Sequence, residues 1–186
     1  MEIIVTNKNI KKIIKNTKKY MNYDKVKYIF KDEIPKKEKE MLLDIQKAIN
    51  TKDVEKRYSF IYDRVCDYLD NEYFGKNLCN FDENGICEYY RKVDNTHYNG
   101  CCYRDDRSLC QYFDEKHSKC TERGISCKLY SCPVLRKKGI NFKINNIPLL
   151  KYFFTFKQKL IIKYSFFKPK PYVMYKLMEI YNESKK

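Results

Sequence analysis

Long uncharged apolar runs are missing from this 186-residue chain. The greasiest stretch, "IPLLKYFFTFKQKLIIKYSFF" from Ile147 to Phe167, is broken by Lys151, Lys157, Lys159 and Lys163, whereas a membrane-spanning helix needs about 20 predominantly apolar residues. No transmembrane segment is expected. The N-terminus offers only Ile3, Ile4 and Val5 before Lys and Asn take over, too short for the apolar region of a secretory signal. The expected location is therefore the cytoplasm. Glycine is scarce, at five residues, and no GxGxxG or GxxxxGK[ST] loop occurs, so phosphate-cradling glycine loops are excluded. With only two histidines, neither a Ser-His-Asp order nor a Cys-His nucleophile pair is identifiable.

Arginine is also sparse, at 7 residues against 32 lysines. That lysine bias, alongside abundant Asn, Ile and Tyr, also follows from AT-rich coding, so the formal charge of +15 is not by itself a nucleic-acid signature. Its distribution says more. Residues 1–78 carry +5, residues 79–132 carry −1, and residues 133–186 carry +11, with 13 basic side chains against 2 acidic ones. The C-terminal third is a basic surface. It is read as a solvated lysine face, as counter-charge to a metal–thiolate centre, or as a docking site for nucleic acid or another anionic partner.

What the chain has in excess is sulfur. Of nine cysteines, Cys79, Cys87, Cys101, Cys102, Cys110, Cys120, Cys127 and Cys132 fall within residues 79–132. In a reducing compartment such a concentration points to metal ligands rather than structural disulfides. The same segment holds just five aliphatic residues, Ile86, Val93, Leu109, Ile125 and Leu129, and cannot order itself by burial alone. A thiolate-bound metal can, at roughly 10 to 16 kcal/mol of apparent binding energy for structural zinc.

All eight cysteines are candidate metal ligands, enough for two four-thiolate sites or for one cluster with thiols to spare. No CxxC pair occurs, so spacing does not choose between zinc and an iron-sulfur cluster. Adjacent side chains on extended backbone point in opposite directions, so Cys101 and Cys102 serve different sites or one of them is not a ligand. His97 and His117 lie in the same segment; His97, four residues before Cys101, is the better candidate for a place at the site. His117 reads as an exposed loop residue. Asp105, Asp106, Asp114 and Glu115 fit carboxylate ligands or an acid/base pair, but read more simply as a solvated loop.

Helical patterns flank this segment. A weak one covers Asn9 to Met21. Pro35 opens a second, with Met41, Leu42, Ile45 and Ala48 on one face and an end near Asn50. Asp53 caps a third that runs to about Phe74, carrying Tyr58, Ile61, Tyr62, Val65 and Leu69, with Gly75 as its stop. Cys66 borders that apolar face and is expected in the core. After Pro133 the pattern predicts one long amphipathic helix from Pro148 (Leu149, Phe153, Phe156, Leu160, Tyr164, Phe167). A last helix follows "KPKP" and uses Val173, Leu177 and Ile180.

The run "CC" followed by "LCQYFDEKHSKCTERGISCKLYSCP" resembles the YkgJ-type cysteine-cluster family, zinc- or iron-chelating domains. Onto its pattern fall Cys101 and Cys102, Cys110 with Phe113, Cys120, and Cys127 with Lys128 and Tyr130. Gly124 and Ile125 stand where that family has Arg-Pro, and Lys128 where it has Arg. The likeness spans about residues 101–130. It implies cysteine-bound zinc or an iron-sulfur cluster, and flagellin lysine methylases in the broader group tilt the expectation slightly toward a [4Fe-4S] cluster.

The expected fold is a single, mainly α domain. N-terminal helices (1–78) and basic C-terminal helices (133–186) pack around an irregular cysteine-rich metal-binding segment (79–132), with little or no sheet. The expected function is a cytosolic metal-binding protein whose cluster or zinc is structural or redox-active. Two alternatives stand beside it: a metal-dependent enzyme of methyl transfer or redox chemistry, and a basic nucleic-acid-binding module stabilised by zinc and stacking bases on some of the 18 tyrosines and 11 phenylalanines.

Overall fold

Ile3 and Val5 alternate with Glu2 and Ile4, and this period of two makes the first element a strand rather than a helix. In the computed structural model, which describes residues 1–73, 75, 76, 78, 113, 114, 119, 120 and 124–185, strand β1 (Glu2–Val5) buries Ile3 and Val5 and turns the other two outward. It pairs in parallel with β2 (Lys27–Phe30), placing Ile3 opposite Tyr28 and Val5 opposite Phe30. A parallel pair requires a crossover, supplied here by α1 (Ile10–Lys15) and α2 (Thr17–Tyr20). The helix expected over Asn9 to Met21 is thus two short ones. The buried Thr17 turns its hydroxyl back onto the Ile14 carbonyl at 2.7 Å, just after the break at Asn16, a local bond that competes with continuing the helix.

The outer edge of β2 does not stand open. Asn50, the last residue of α3 (Lys36–Asn50), accepts from Val26 N and donates to Val26 O, both at 2.8 Å. Gln46 accepts from the Tyr28 amide. Two α3 side chains therefore satisfy backbone groups that would otherwise template pairing with another strand.

α3 begins after Pro35 and buries Leu42, Ile45, Ala48 and Ile49. α4 (Val54–Tyr73) starts at Asp53, whose carboxylate accepts the Lys56 amide at 2.9 Å. Tyr58, Ile61, Tyr62, Val65, Cys66 and Leu69 of α4 are all buried, as their spacing requires. Past the end of α4, a Cβ at Gly75 would meet the Asn71 carbonyl oxygen at 2.6 Å, so only glycine fits there without displacement.

Further along, β3 (Phe113–Asp114) and β4 (Lys119–Cys120) form a minimal antiparallel pair. Then come α5 (Ile125–Leu129), α6 (Pro133–Lys137), a 3-10 turn (Ile144–Asn146), α7 (Pro148–Phe153), α8 (Phe156–Tyr164) and α9 (Lys170–Glu183). α4 is the spine, packing on α3, α5, α7 and α9. A buried apolar cluster runs through these elements, from Val5 through Leu42, Ile61, Ile125 and Leu150 to Leu177. The architecture is mainly α with little sheet. No helix among the described residues is long and apolar enough to cross a membrane.

The single long helix predicted from Pro148 is corrected by the structure. Phe154 and Thr155 are extended, and Thr155 opens a capping box: its hydroxyl accepts the Gln158 amide at 3.3 Å while Gln158 Oε1 accepts the Thr155 amide at 3.0 Å. That break rotates α8 relative to α7. Leu149 and Phe153 are buried as expected, but Phe156, Leu160 and Tyr164 face outward, and α8 buries Gln158 and Ile162 instead.

Candidate functional site

The described end of the cysteine-rich segment, "GISCKLYSC" (Gly124–Cys132), packs onto the helices through α5. Ile125 is fully buried beside Tyr62 of α4, and its amide donates to the Tyr62 hydroxyl at 3.3 Å. Ser126, also buried, donates to the carbonyls of Ile162 (2.9 Å) and Lys163 (2.7 Å), which lie in the last turn of α8 and lack helical partners. Lys128 is buried too, an uncommon place for lysine, and its ammonium is bound by Asp70 of α4. Five residues of local sequence thus grip two different helices.

Cys127 sits between these anchors. Its Sγ accepts the Phe167 amide at 3.5 Å, from the turn that joins α8 to α9. Phe167 has φ +56°, the left-handed region a bulky residue seldom occupies. Tyr130 meets the Phe166 ring edge-on, with centroids 6.5 Å apart, fastening the same turn. Tyr62 stands close to both Cys66 and Cys127. Burial first, then the proximity of Cys66, Cys127 and Asp63, push its phenol well above the usual tyrosine range, so it is a neutral hydroxyl at physiological pH.

Cys127 is half-buried, with its sulfur on the Phe167 amide and its neighbours Ser126 and Lys128 anchored on α8 and α4. Cys132 is half-buried as well, at the residue before α6. Cys120 is described by its backbone alone, ending β4 opposite Phe113. Cys66 packs in the core, fully buried among apolar side chains.

Cys79, Cys87, Cys101, Cys102 and Cys110 lie outside the described residues, as do His97, His117, Asp105, Asp106 and Glu115. Asp114, at the end of β3, is half-buried. Among the described residues no three Cys, His, Asp or Glu side chains converge. The residues that sequence reasoning missed are the anchors. Nothing in "SCK" distinguishes a buried serine and lysine from solvated ones, because their partners, Asp70 and the α8 carbonyls, are about 40 to 60 residues away along the chain.

Comparison of the chain with protein-family models, with curated proteins and with solved structures finds no match.

Proposed function

We propose that this is a metal-binding protein in which thiolates from residues 79–132 hold an iron-sulfur cluster or zinc, in a structural or redox role. The observation that carries the reading is compositional: eight cysteines share a segment with five aliphatic residues, so another cross-link must replace the missing core. Cys127 supports it, as a half-buried sulfur fixed by the Phe167 amide and by the anchoring of Ser126 and Lys128 on either side. The remaining candidate ligands are Cys79, Cys87, Cys101, Cys102, Cys110, Cys120 and Cys132. The likeness to the YkgJ-type cysteine-cluster family is part of the same proposal, as is a cytoplasmic location, where thiols stay reduced.

When bound, a cluster would supply one-electron chemistry and zinc a rigid cross-link. The chain's own contribution is to hold the Cys127 sulfur on the Phe167 amide, near the buried Tyr62 of α4. Purification without oxygen, followed by iron, zinc and acid-labile sulfide analysis, tests the proposal. A brown protein with matched iron and sulfide, or a colourless one with stoichiometric zinc, supports it. Protein free of all three refutes it.

A further inference from the structure

α8 is turned inside out for a helix on the surface of a helical core. It buries a glutamine, Gln158, which is 1% exposed, and presents Phe156 at 76% and Tyr164 at 62% exposure. The cause is local. Gln158 is committed to the Thr155 cap, to the Tyr58 hydroxyl at 3.1 Å and to the Leu177 carbonyl at 3.2 Å, so the opposite face must look outward. On that face Phe156, Leu160 and Tyr164 follow one another at intervals of four residues and form one stripe. Lys159 and Lys163 flank one side of the stripe and Lys157 the other, by helical geometry.

The charges carried by α8 and its flanking sequence have one sign. Between Glu122 and Glu179 the sequence contains no carboxylate. Lys128 and Lys170 are matched by Asp70 and Asp63 of α4, but Lys157, Lys159 and Lys163 make no ion pair among the described residues. Partial burial, then the charges of Lys18 and Lys151, lower the affinity of Lys159 for its proton, so positive potential accumulates at this edge of the protein.

We propose that the outer face of α8 docks onto the acidic surface of a lipid bilayer, with Phe156, Leu160 and Tyr164 entering the headgroup boundary and Lys157 and Lys163 meeting lipid phosphates and carboxylates, while Lys159 stays on the Lys151 carbonyl of α7. Exposed aromatic and aliphatic side chains edged by lysines are the groups with which a folded protein seats a surface element on anionic lipid. A single-stranded nucleic acid fits less well. Leu160, at the centre of the stripe, has no ring on which a base could stack, and the Lys163 ammonium covers the Tyr164 ring at 4.9 Å. The proposal does not depend on a metal.

The chain has no tryptophan, so Phe156→Trp in this 186-residue chain places a single indole reporter on the stripe. Its emission is expected to shift to the blue on adding vesicles that contain phosphatidylserine, and not on adding pure phosphatidylcholine vesicles or a single-stranded oligonucleotide. In sedimentation, the F156S/L160S double variant is expected to bind acidic vesicles at least tenfold more weakly than the natural chain, with unchanged circular dichroism and metal content. The K157Q/K163Q variant and added salt should each weaken binding as well. The idea is overturned if the natural chain does not sediment with acidic vesicles, if F156S/L160S binds them as well as the natural chain, or if the indole responds to the oligonucleotide and not to lipid.

Discussion

Lys128 of α5 and Asp70 of α4 form an ion pair in which the lysine side chain is only 3% exposed and the carboxylate 25%. The pair ties the end of the cysteine-rich segment to the longest helix. Removing the lysine charge strands a carboxylate that is three-quarters withdrawn from water. Lys128→Met is therefore expected to destabilise the fold by about 2 to 4 kcal/mol in urea titrations, and adding Asp70→Leu to recover much of that loss. Equal stability of the single variant and the natural protein would contradict this account of α5.

Gln158 joins three elements through one buried amide: the Thr155 cap of α8, Tyr58 of α4 and Leu177 of α9. Gln158→Leu keeps the volume but takes away the partner of the Tyr58 hydroxyl and the acceptor of the Thr155 amide, while the Leu177 carbonyl keeps its helical bond within α9. The expected cost is about 2 to 3 kcal/mol, read from denaturant midpoints, with part of it recovered by Tyr58→Phe in the same chain. Burial keeps the Tyr58 phenol above its ordinary range, so this loss should be independent of pH across the neutral region.

Tyr28 offers the opposite case. Its ring packs beneath β2 at 5% exposure, and its hydroxyl has no hydrogen-bond partner among the described residues. Tyr28→Phe removes a buried, unmatched polar atom and is expected to leave stability unchanged or raise it by about 1 kcal/mol, as thermal denaturation would report.

Glu72 sits between Lys37 at 2.7 Å and Lys76 at 2.6 Å. Burial alone would raise its carboxyl, but the two ammonium groups outweigh that and hold it below the ordinary glutamate range. A lowered folded-state value adds stability above the unfolded value, and that stability is lost as pH falls through the folded one. The lysines are 61% and 53% exposed, so the contribution is under about 1 kcal/mol. Comparing Glu72→Gln with the natural chain should show a small deficit at neutral pH that closes at acid pH and narrows in high salt.

α3 and α4 were legible because everything that defines them is local. Pro35 and Asp53 mark their starts, Gly75 lies just past the second, and Leu42, Ile45, Tyr62 and Leu69 repeat at helical spacing. The β1–β2 pair was not legible, because "EIIV" is short and its partner, Lys27–Phe30, is fixed by two intervening helices and by Asn50 and Gln46 of α3. The break between α7 and α8 was written in the sequence as the capping box Thr155 to Gln158, but apolar spacing that continues through it masked the signal. At the candidate site the cysteines announced themselves by number. The groups that hold Cys127 in place did not, since Phe167, Asp70 and Ile162 come from distant parts of the chain.

The most direct measurement is the mass of the folded protein, prepared without oxygen and sprayed under native conditions. A metal or cluster held by the thiolates of residues 79–132 predicts a mass above that of the chain by zinc or by iron with sulfide, falling to the chain mass on acid unfolding. A folded protein at the bare chain mass, or one lighter by the hydrogens lost to disulfides, would contradict it.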